Sequence, residues 1–96
     1  MYFSEQFRLK KDGDFLILSF RVSEKKVEEH MVLIGDETLN DPIGDTWCGS
    51  AVFKIKKCDT GVLLKFHTNE CRADIYCLTS ADFRMLQSLY LSIRGI

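Results

Sequence analysis

The sequence predicts one α+β domain: a mostly antiparallel β meander of about six strands with one C-terminal amphipathic helix packed on the sheet. Three observations predict this fold class. Several short segments alternate apolar and polar residues, turn-forming residues separate them, and apolar residues recur at helical spacing near the end of the chain. A chain of 96 residues supports one hydrophobic core, so we expect residues 1–96 to form a single domain.

The strand segments show the period of two that is typical of a strand with one buried face. Asp12-Gly13-Asp14, between the first two segments, is a strong hairpin signal because glycine adopts a positive φ without steric cost. A long aperiodic loop, Gly35–Thr46, separates the third segment from the fourth. The segments are Met1–Lys11, Phe15–Val22, Val27–Ile34, Trp47–Lys57, Val62–His67 and Arg72–Leu78.

In the first three segments, a simple meander register gives one shared apolar face. Leu9 is expected opposite Leu16, and Leu18 opposite Met31. On the third strand the residues expected to point into the core are Val27, Met31 and Leu33.

In the last three segments, the same reasoning sets Ile55 opposite Leu64 and Leu64 opposite Ile75. The opposite face of these strands is expected to be a solvated row. That row contains Lys54, Lys65 and Asp74.

The helix signal begins at Thr79-Ser80-Ala81-Asp82. Either hydroxyl can cap a free backbone N–H, and Asp82 favours the positive end of the helix dipole. The apolar residues that follow at helical spacing are Phe83, Leu86, Tyr90 and Ile93.

Composition restricts the class of protein. The net charge of −1 gives no global field that would favour nucleic acid or an anionic membrane. No run of the ~20 apolar residues that span a bilayer is present, and Met1–Gln6 lacks the regions of a signal peptide. We therefore expect a cytoplasmic protein without a membrane partner. Its cysteines are expected to be buried thiols, although their even number permits two disulfides: Cys48, Cys58, Cys71 and Cys77.

No catalytic constellation is recognisable. Trp47-Cys48-Gly49-Ser50 matches part of a papain-type signature, but Ala51 stands where the reactive cysteine would be. Asp12-x-Asp14 is too short for a calcium loop. We therefore expect no enzyme activity, no catalytic residue, no cofactor and no metal. A zinc site of the cysteines with His30 or His67 is a minor alternative, because the close ligand pairs of structural zinc sites are missing.

The distribution of charge indicates a binding protein. Between Val27 and Phe53 the chain has six acidic residues and no lysine or arginine. Complementary charge accelerates the encounter with a basic partner and rejects wrong partners. Trp47 lies beside this segment and is expected to fill the core, with an interface anchor as the alternative. The residues expected to contact the partner are Asp36, Glu37, Asp41 and Asp45, with Glu28 and Glu29 as support.

The second half of the chain resembles a known family. Trp47-Cys48-Gly49-Ser50-Ala51-Val52-Phe53 follows the acidic segment, two alternating strands come next, and Ser80-Ala81-Asp82-Phe83 with Leu86 and Leu89 forms one capped terminal helix. This layout resembles the immunity protein 10 family of bacterial toxin systems, alongside the contact-dependent inhibition immunity proteins, with Gly49-Ser50 in place of a Gly-Gly pair. The resemblance implies a protein that binds and blocks a cognate toxin domain in the cytoplasm.

Two other hypotheses remain open. A nucleic-acid-binding module would use basic residues with Tyr76 as a stacking platform, although the near-neutral net charge counts against it. A homodimer could instead form through an edge strand, Met1–Lys11 or Arg72–Leu78. The basic residues of the first alternative are Lys54, Lys56, Lys57, Lys65 and Arg72.

Overall fold

The computed structural model describes residues 2–3, 7–35, 46–69 and 71–94, which form two β-sheets and one helix. The strands are β1 (Tyr2–Phe3), β2 (Phe7–Asp12), β3 (Phe15–Ser23), β4 (Lys26–Leu33), β5 (Cys48–Gly49), β6 (Phe53–Cys58), β7 (Gly61–Asn69) and β8 (Arg72–Leu78), and the helix is α1 (Ser80–Arg94). One sheet has the order β1-β8-β7-β6-β5 and the other β2-β3-β4. All neighbours are antiparallel except β1 and β8, which are parallel. The predicted α+β, mostly antiparallel class is confirmed.

Two of the predicted strands are each divided in the structure. Within Met1–Lys11, β1 pairs with β8, whereas β2 pairs with β3 in the other sheet. Within Trp47–Lys57, a tight turn separates β5 from β6. Ser50 closes this turn, because its backbone N–H donates to the Phe53 carbonyl and its hydroxyl accepts from the Phe53 N–H. β8 lies between β1 and β7, so the expectation that Arg72–Leu78 is an edge strand is wrong.

The first hairpin forms at the predicted place. Asp12 pairs with Phe15 across a two-residue turn, and Gly13 has the positive φ, 62°, that this turn needs. Leu9 lies opposite Leu18 rather than Leu16. This shift of two residues keeps the predicted faces of β2 and β3, because side chains alternate with a period of two.

A register irregularity in the β3–β4 ladder exchanges the faces of β4. The pairing shifts between Arg21 and Ser23, and His30, not Met31, lies opposite Leu18. A shift of one residue moves every side chain of a strand to the other face. The residues predicted to point inward are therefore exposed, and that prediction is wrong: Val27, Met31 and Leu33.

The β7–β8 ladder contains a second irregularity, between His67 and Asn69. It exchanges the faces of β8, as the first irregularity does for β4. Leu64 pairs with Ile55 as predicted, but the β8 residue opposite Leu64 is Tyr76 instead of Ile75. Lys54 lies opposite Lys65 as predicted, and the outward neighbour of Lys65 is Ile75. The predicted place of Asp74 in that row is wrong, because its strand is turned over.

The core lies between the two sheets and beneath the helix. Phe20 of β3 stacks on Tyr76 of β8, with ring centroids 4.1 Å apart, which shows that the sheets face each other. The helix is capped as predicted: the Thr79 hydroxyl accepts the Asp82 N–H at 3.1 Å. Its buried residues are Phe83, Leu86 and Tyr90. Within the described part of the chain, no helix has the length and apolar character needed to cross a bilayer.

Candidate functional site

A cluster of polar side chains lies between the two sheets, where the core would ordinarily be apolar. Glu28 and His30 are two residues apart on β4, and Asp74 and Tyr76 are two residues apart on β8. Members of each pair therefore share one face of their strand. We call these four residues the intersheet cluster.

Short hydrogen bonds connect the two sheets through this cluster. The Tyr76 hydroxyl donates to Glu28 Oε1 at 2.6 Å, and His30 Nε2 lies 2.6 Å from the same hydroxyl oxygen. Because the tyrosine proton is directed at Glu28, the contact with His30 requires a proton on Nε2. His30 Nε2 also lies 3.7 Å from Asp74 Oδ2. One tyrosine hydroxyl thus ties both β4 side chains to β8.

Aromatic rings surround the cluster and limit its contact with water. The His30 ring stacks on Phe66 with centroids 4.3 Å apart, and Tyr76 is fully buried. The side chains of Glu28, His30 and Asp74 are exposed by only 14%, 10% and 13%. An apolar wall of this kind strengthens electrostatic interactions inside the cluster.

The cluster has an excess of negative charge. Burial lowers the pKa of His30 below its ordinary value of 6.5, and the nearby Asp74 and Glu28 carboxylates only partly oppose this shift. The imidazole is therefore neutral near pH 7, while two carboxylates lie beside it. Lys26 contacts Glu28 at 3.4 Å, but its side chain is 61% exposed. Within the described residues, Asp74 has no ion-pair partner other than His30.

The same cluster offers a set of metal donor atoms. Glu28, His30 and Asp74 each present one ligand atom, and these atoms lie within 4.8 Å of one another. Among the described ranges, this is the one group of three such side chains so arranged.

The outer face of β4 differs completely from its inner face. Val27, Met31 and Leu33 are all at least half exposed, and Leu33 lies opposite the exposed Phe15 of β3. We call these four residues the outer strip. Exposed apolar residues grouped on one sheet face are typical of a protein-binding surface.

The predicted partner-binding acids are divided among three places. Glu29 is exposed on β4, on the same face as Met31 of the outer strip. Glu28 points between the sheets and belongs to the intersheet cluster, with 14% of its side chain exposed, and its contact with a partner stays a prediction. The remaining predicted acids lie outside the described residues: Asp36, Glu37, Asp41 and Asp45.

Trp47 is only half buried, and the prediction that it fills the core is wrong. It lies on the outer side of the five-stranded sheet, with Lys65 Nζ 4.3 Å and Lys56 Nζ 5.1 Å from its ring centroid. The positive charges hold the ring by cation–π attraction. Tyr76, the expected base-stacking platform, is fully buried and unable to stack with a nucleic acid, so that expectation is wrong.

All four cysteines are free thiols, and none is buried as expected: Cys71 is exposed and Cys48, Cys58 and Cys77 are half-buried. The Thr60 hydroxyl contacts Cys58 Sγ at 3.5 Å and Cys77 Sγ at 3.8 Å. This hydroxyl lowers the pKa of Cys58, whereas burial raises the pKa of Cys77. No metal-ligand set among the described residues includes a cysteine.

Sequence reasoning missed His30, Asp74 and Tyr76 as a site. A signal was nevertheless present: Glu28-x-His30 and Asp74-x-Tyr76 each place two polar groups on one face of a predicted strand. The sequence pattern places both pairs on the solvent side, because the predicted register differs from the observed one by one residue.

The chain matches no family model, no curated protein and no solved structure in comparisons with known proteins.

Proposed function

We propose that this protein is a non-enzymatic binding protein that neutralises a basic toxin domain, in the manner of the bacterial immunity proteins that its second half resembles. The single observation that carries the proposal is the outer strip. Its apolar side chains, Phe15, Val27, Met31 and Leu33, are grouped on one face of the three-stranded sheet. Protein interfaces combine an apolar centre of this kind with a polar rim.

The charge beside the outer strip favours a cationic partner. Glu29 lies between Val27 and Met31 on the same face of β4. In the sequence, the ten residues after Gly35 contain no lysine or arginine and four acidic residues: Asp36, Glu37, Asp41 and Asp45. The apolar strip would supply contact area, and the carboxylates would accelerate encounter with a basic surface.

The experiment starts from the neighbouring gene. If the proposal is right, that gene encodes a large secreted protein whose C-terminal domain is toxic, and expression of this domain alone arrests growth of a bacterial host. Co-expression of the present chain is expected to restore growth, and the two purified proteins should form a complex. A neighbouring domain that is toxic but neither bound nor neutralised would contradict the proposal.

Two sets of variants separate the apolar and electrostatic contributions. Met31→Ser with Leu33→Ser removes area from the outer strip and should accelerate dissociation. Asp41→Lys with Asp45→Lys should slow association and flatten its salt dependence. Lys54→Arg with Lys56→Arg, on the other sheet, keeps the charge, and this control should leave both rates unchanged. Equal effects from all three variants would contradict a role for the outer strip.

Self-association through the same strip is the competing outcome. Analytical ultracentrifugation of the purified chain decides between self-association and binding of a toxin domain. A concentration-dependent dimer that Met31→Ser dissociates would assign the outer strip to a second copy of this chain instead of a toxin.

A further inference from the structure

The intersheet cluster contains a set of metal-ligand atoms that its hydrogen bonds alone do not require. His30 supplies an imidazole nitrogen, and Glu28 and Asp74 supply carboxylate oxygens, all within 4.8 Å of one another. A tetrahedral zinc ion with ligands at about 2.1 Å separates its donor atoms by about 3.4 Å. The observed 3.7 Å between His30 Nε2 and Asp74 Oδ2 is close to that separation.

The charge of the cluster supplies an independent argument for a cation. Two carboxylates lie between the sheets with 14% and 13% of their side chains exposed. Lys26 is the one lysine or arginine that pairs with either of them within the described residues, and it contacts Glu28 only. Buried charges in proteins are paired or coordinate metals, since an uncompensated charge is costly to remove from water. A divalent cation would balance both carboxylates.

We propose that Glu28, His30 and Asp74 bind one divalent transition-metal ion between the two sheets, with zinc as the expected ion. The mixed nitrogen and oxygen donors favour such an ion over calcium or magnesium, which prefer oxygen ligands alone. With three protein ligands, a fourth position is left for water.

Tyr76 is a positioning residue for this site. Its hydroxyl oxygen lies 2.6 Å from Glu28 Oε1 and 2.6 Å from His30 Nε2. It therefore positions the two ligands that β4 supplies before the ion enters. Binding at His30 Nε2 moves the imidazole proton to Nδ1 and ends the bond to Tyr76, while the Tyr76 donation to Glu28 can remain. The ion would then fasten β4 to β8 directly. This inference is independent of the proposed toxin partner.

The test begins with the full chain, freed of metal by a chelator and titrated with zinc chloride in a calorimeter. We expect one ion per chain, with a rise in the thermal unfolding temperature because the ion binds the folded state. Cobalt as a substitute should give visible d–d absorption of a low-coordinate nitrogen–oxygen site. Absence of stoichiometric uptake would overturn the proposal.

Matched variants locate the ion. Mutation of an outer partner of a metal ligand costs about 10- to 100-fold in affinity, so His30→Gln and Asp74→Asn should each lose at least that much. His67→Gln and Glu29→Gln change a histidine and an acidic residue at exposed positions and should bind normally. Cys58→Ser with Cys77→Ser should also bind normally. Uptake that survives both ligand variants, or that disappears with the cysteines, would overturn the assignment.

Two further measurements do not depend on the stability of the ligand variants. In nuclear magnetic resonance spectra of the unmodified chain, zinc should shift the imidazole signals of His30 and leave those of His67 in place. Tyr76→Phe retains all three ligands, so zinc uptake should persist, but with an affinity about 10- to 100-fold lower because Glu28 loses its outer hydrogen-bond partner. A shift confined to His67 would contradict the site.

Discussion

The two faces of β4 are the reverse of what a half-buried strand ordinarily presents. Its outer face exposes Val27, Met31 and Leu33, whereas its inner face carries Glu28 and His30. An ordinary arrangement would bury the three apolar residues and leave the polar pair in water. The irregularity between Arg21 and Ser23 produces the inversion, and one residue more or less in that ladder would undo it.

Function is expected where side chains depart from this ordinary pattern of burial. The inward imidazole and carboxylate of β4 violate the usual pattern of burial, and so do its outward methionine and leucine. Departures from local rules are expected at functional or strained sites and are compensated elsewhere in the fold. Here the compensation comes from a large aromatic core, since Phe20, Phe66 and Tyr76 all contact one another around the polar groups.

The largest expected contrast is between two phenylalanines of β3. Phe20 is fully buried against Tyr76 and Phe66, so Phe20→Ala should lower the free energy of unfolding by about 3–5 kcal/mol. Phe15 belongs to the outer strip and is 39% exposed, so Phe15→Ala should cost less than about 1 kcal/mol. Urea unfolding measures both. Similar losses would contradict the assignment of the two faces.

A smaller contrast is expected between adjacent glutamates of β4. Glu28→Ala removes the acceptor of the buried Tyr76 hydroxyl and should cost about 1–3 kcal/mol. Glu29→Ala, in exposed surroundings, should change the free energy of unfolding by less than about 0.5 kcal/mol. The same denaturant titration measures both variants in the presence of a chelator. If Glu29→Ala were the more damaging, the register of β4 would be wrong.

Acidification should weaken the metal-free protein through His30. Its pKa in the folded state lies below the ordinary 6.5, so the unfolded chain takes up the proton more readily. The stability contributed by neutral His30 is present above pH 6.5 and is lost as pH falls through the lower, folded-state pKa. The charged groups beside the ring are Asp74 and Glu28, and Lys26 contacts Glu28.

Measurement of the free energy of unfolding from pH 8 to pH 5 checks this pH dependence. Both ends of this range lie about one to two pH units from the ordinary histidine pKa. His30→Gln should reduce the decline on the acidic side, and the exposed His67→Gln should retain it. Greater stability at acidic pH in the unmodified protein would contradict the direction of the His30 shift.

Only a small effect on stability is expected from the outer strip itself. Met31 is 56% exposed, so Met31→Ser should change the free energy of unfolding by less than about 1 kcal/mol. The neighbouring Val32 is buried, and Val32→Ser should cost clearly more. Thermal unfolding of the two variants side by side provides the comparison.

The sequence predicts those structural features that residues close together in the chain determine. The turn at Gly13, the hydroxyl cap at Thr79 and the apolar stripe of α1 depend on neighbouring residues only, and all are present. The alternation of β2 and β3 likewise places Leu9 and Leu18 on the predicted side.

The facing of β4 and β8 could not be predicted in this way. Each depends on a ladder irregularity, near Arg21 in one hairpin and near His67 in the other, which no turn residue announces. The apolar alternation of β4 favoured the wrong face because it does not distinguish a core from an exposed binding surface. The intersheet cluster was missed for the same reason, since it forms only when both strands are turned over.

The inversion of β4 is tested most directly by nuclear Overhauser contacts between side chains in solution. We predict contacts from the His30 imidazole to the rings of Phe66 and Tyr76, and none from the Met31 methyl group to either ring. Contacts from Met31 to Phe66 or Tyr76, with His30 in contact only with water, would contradict it.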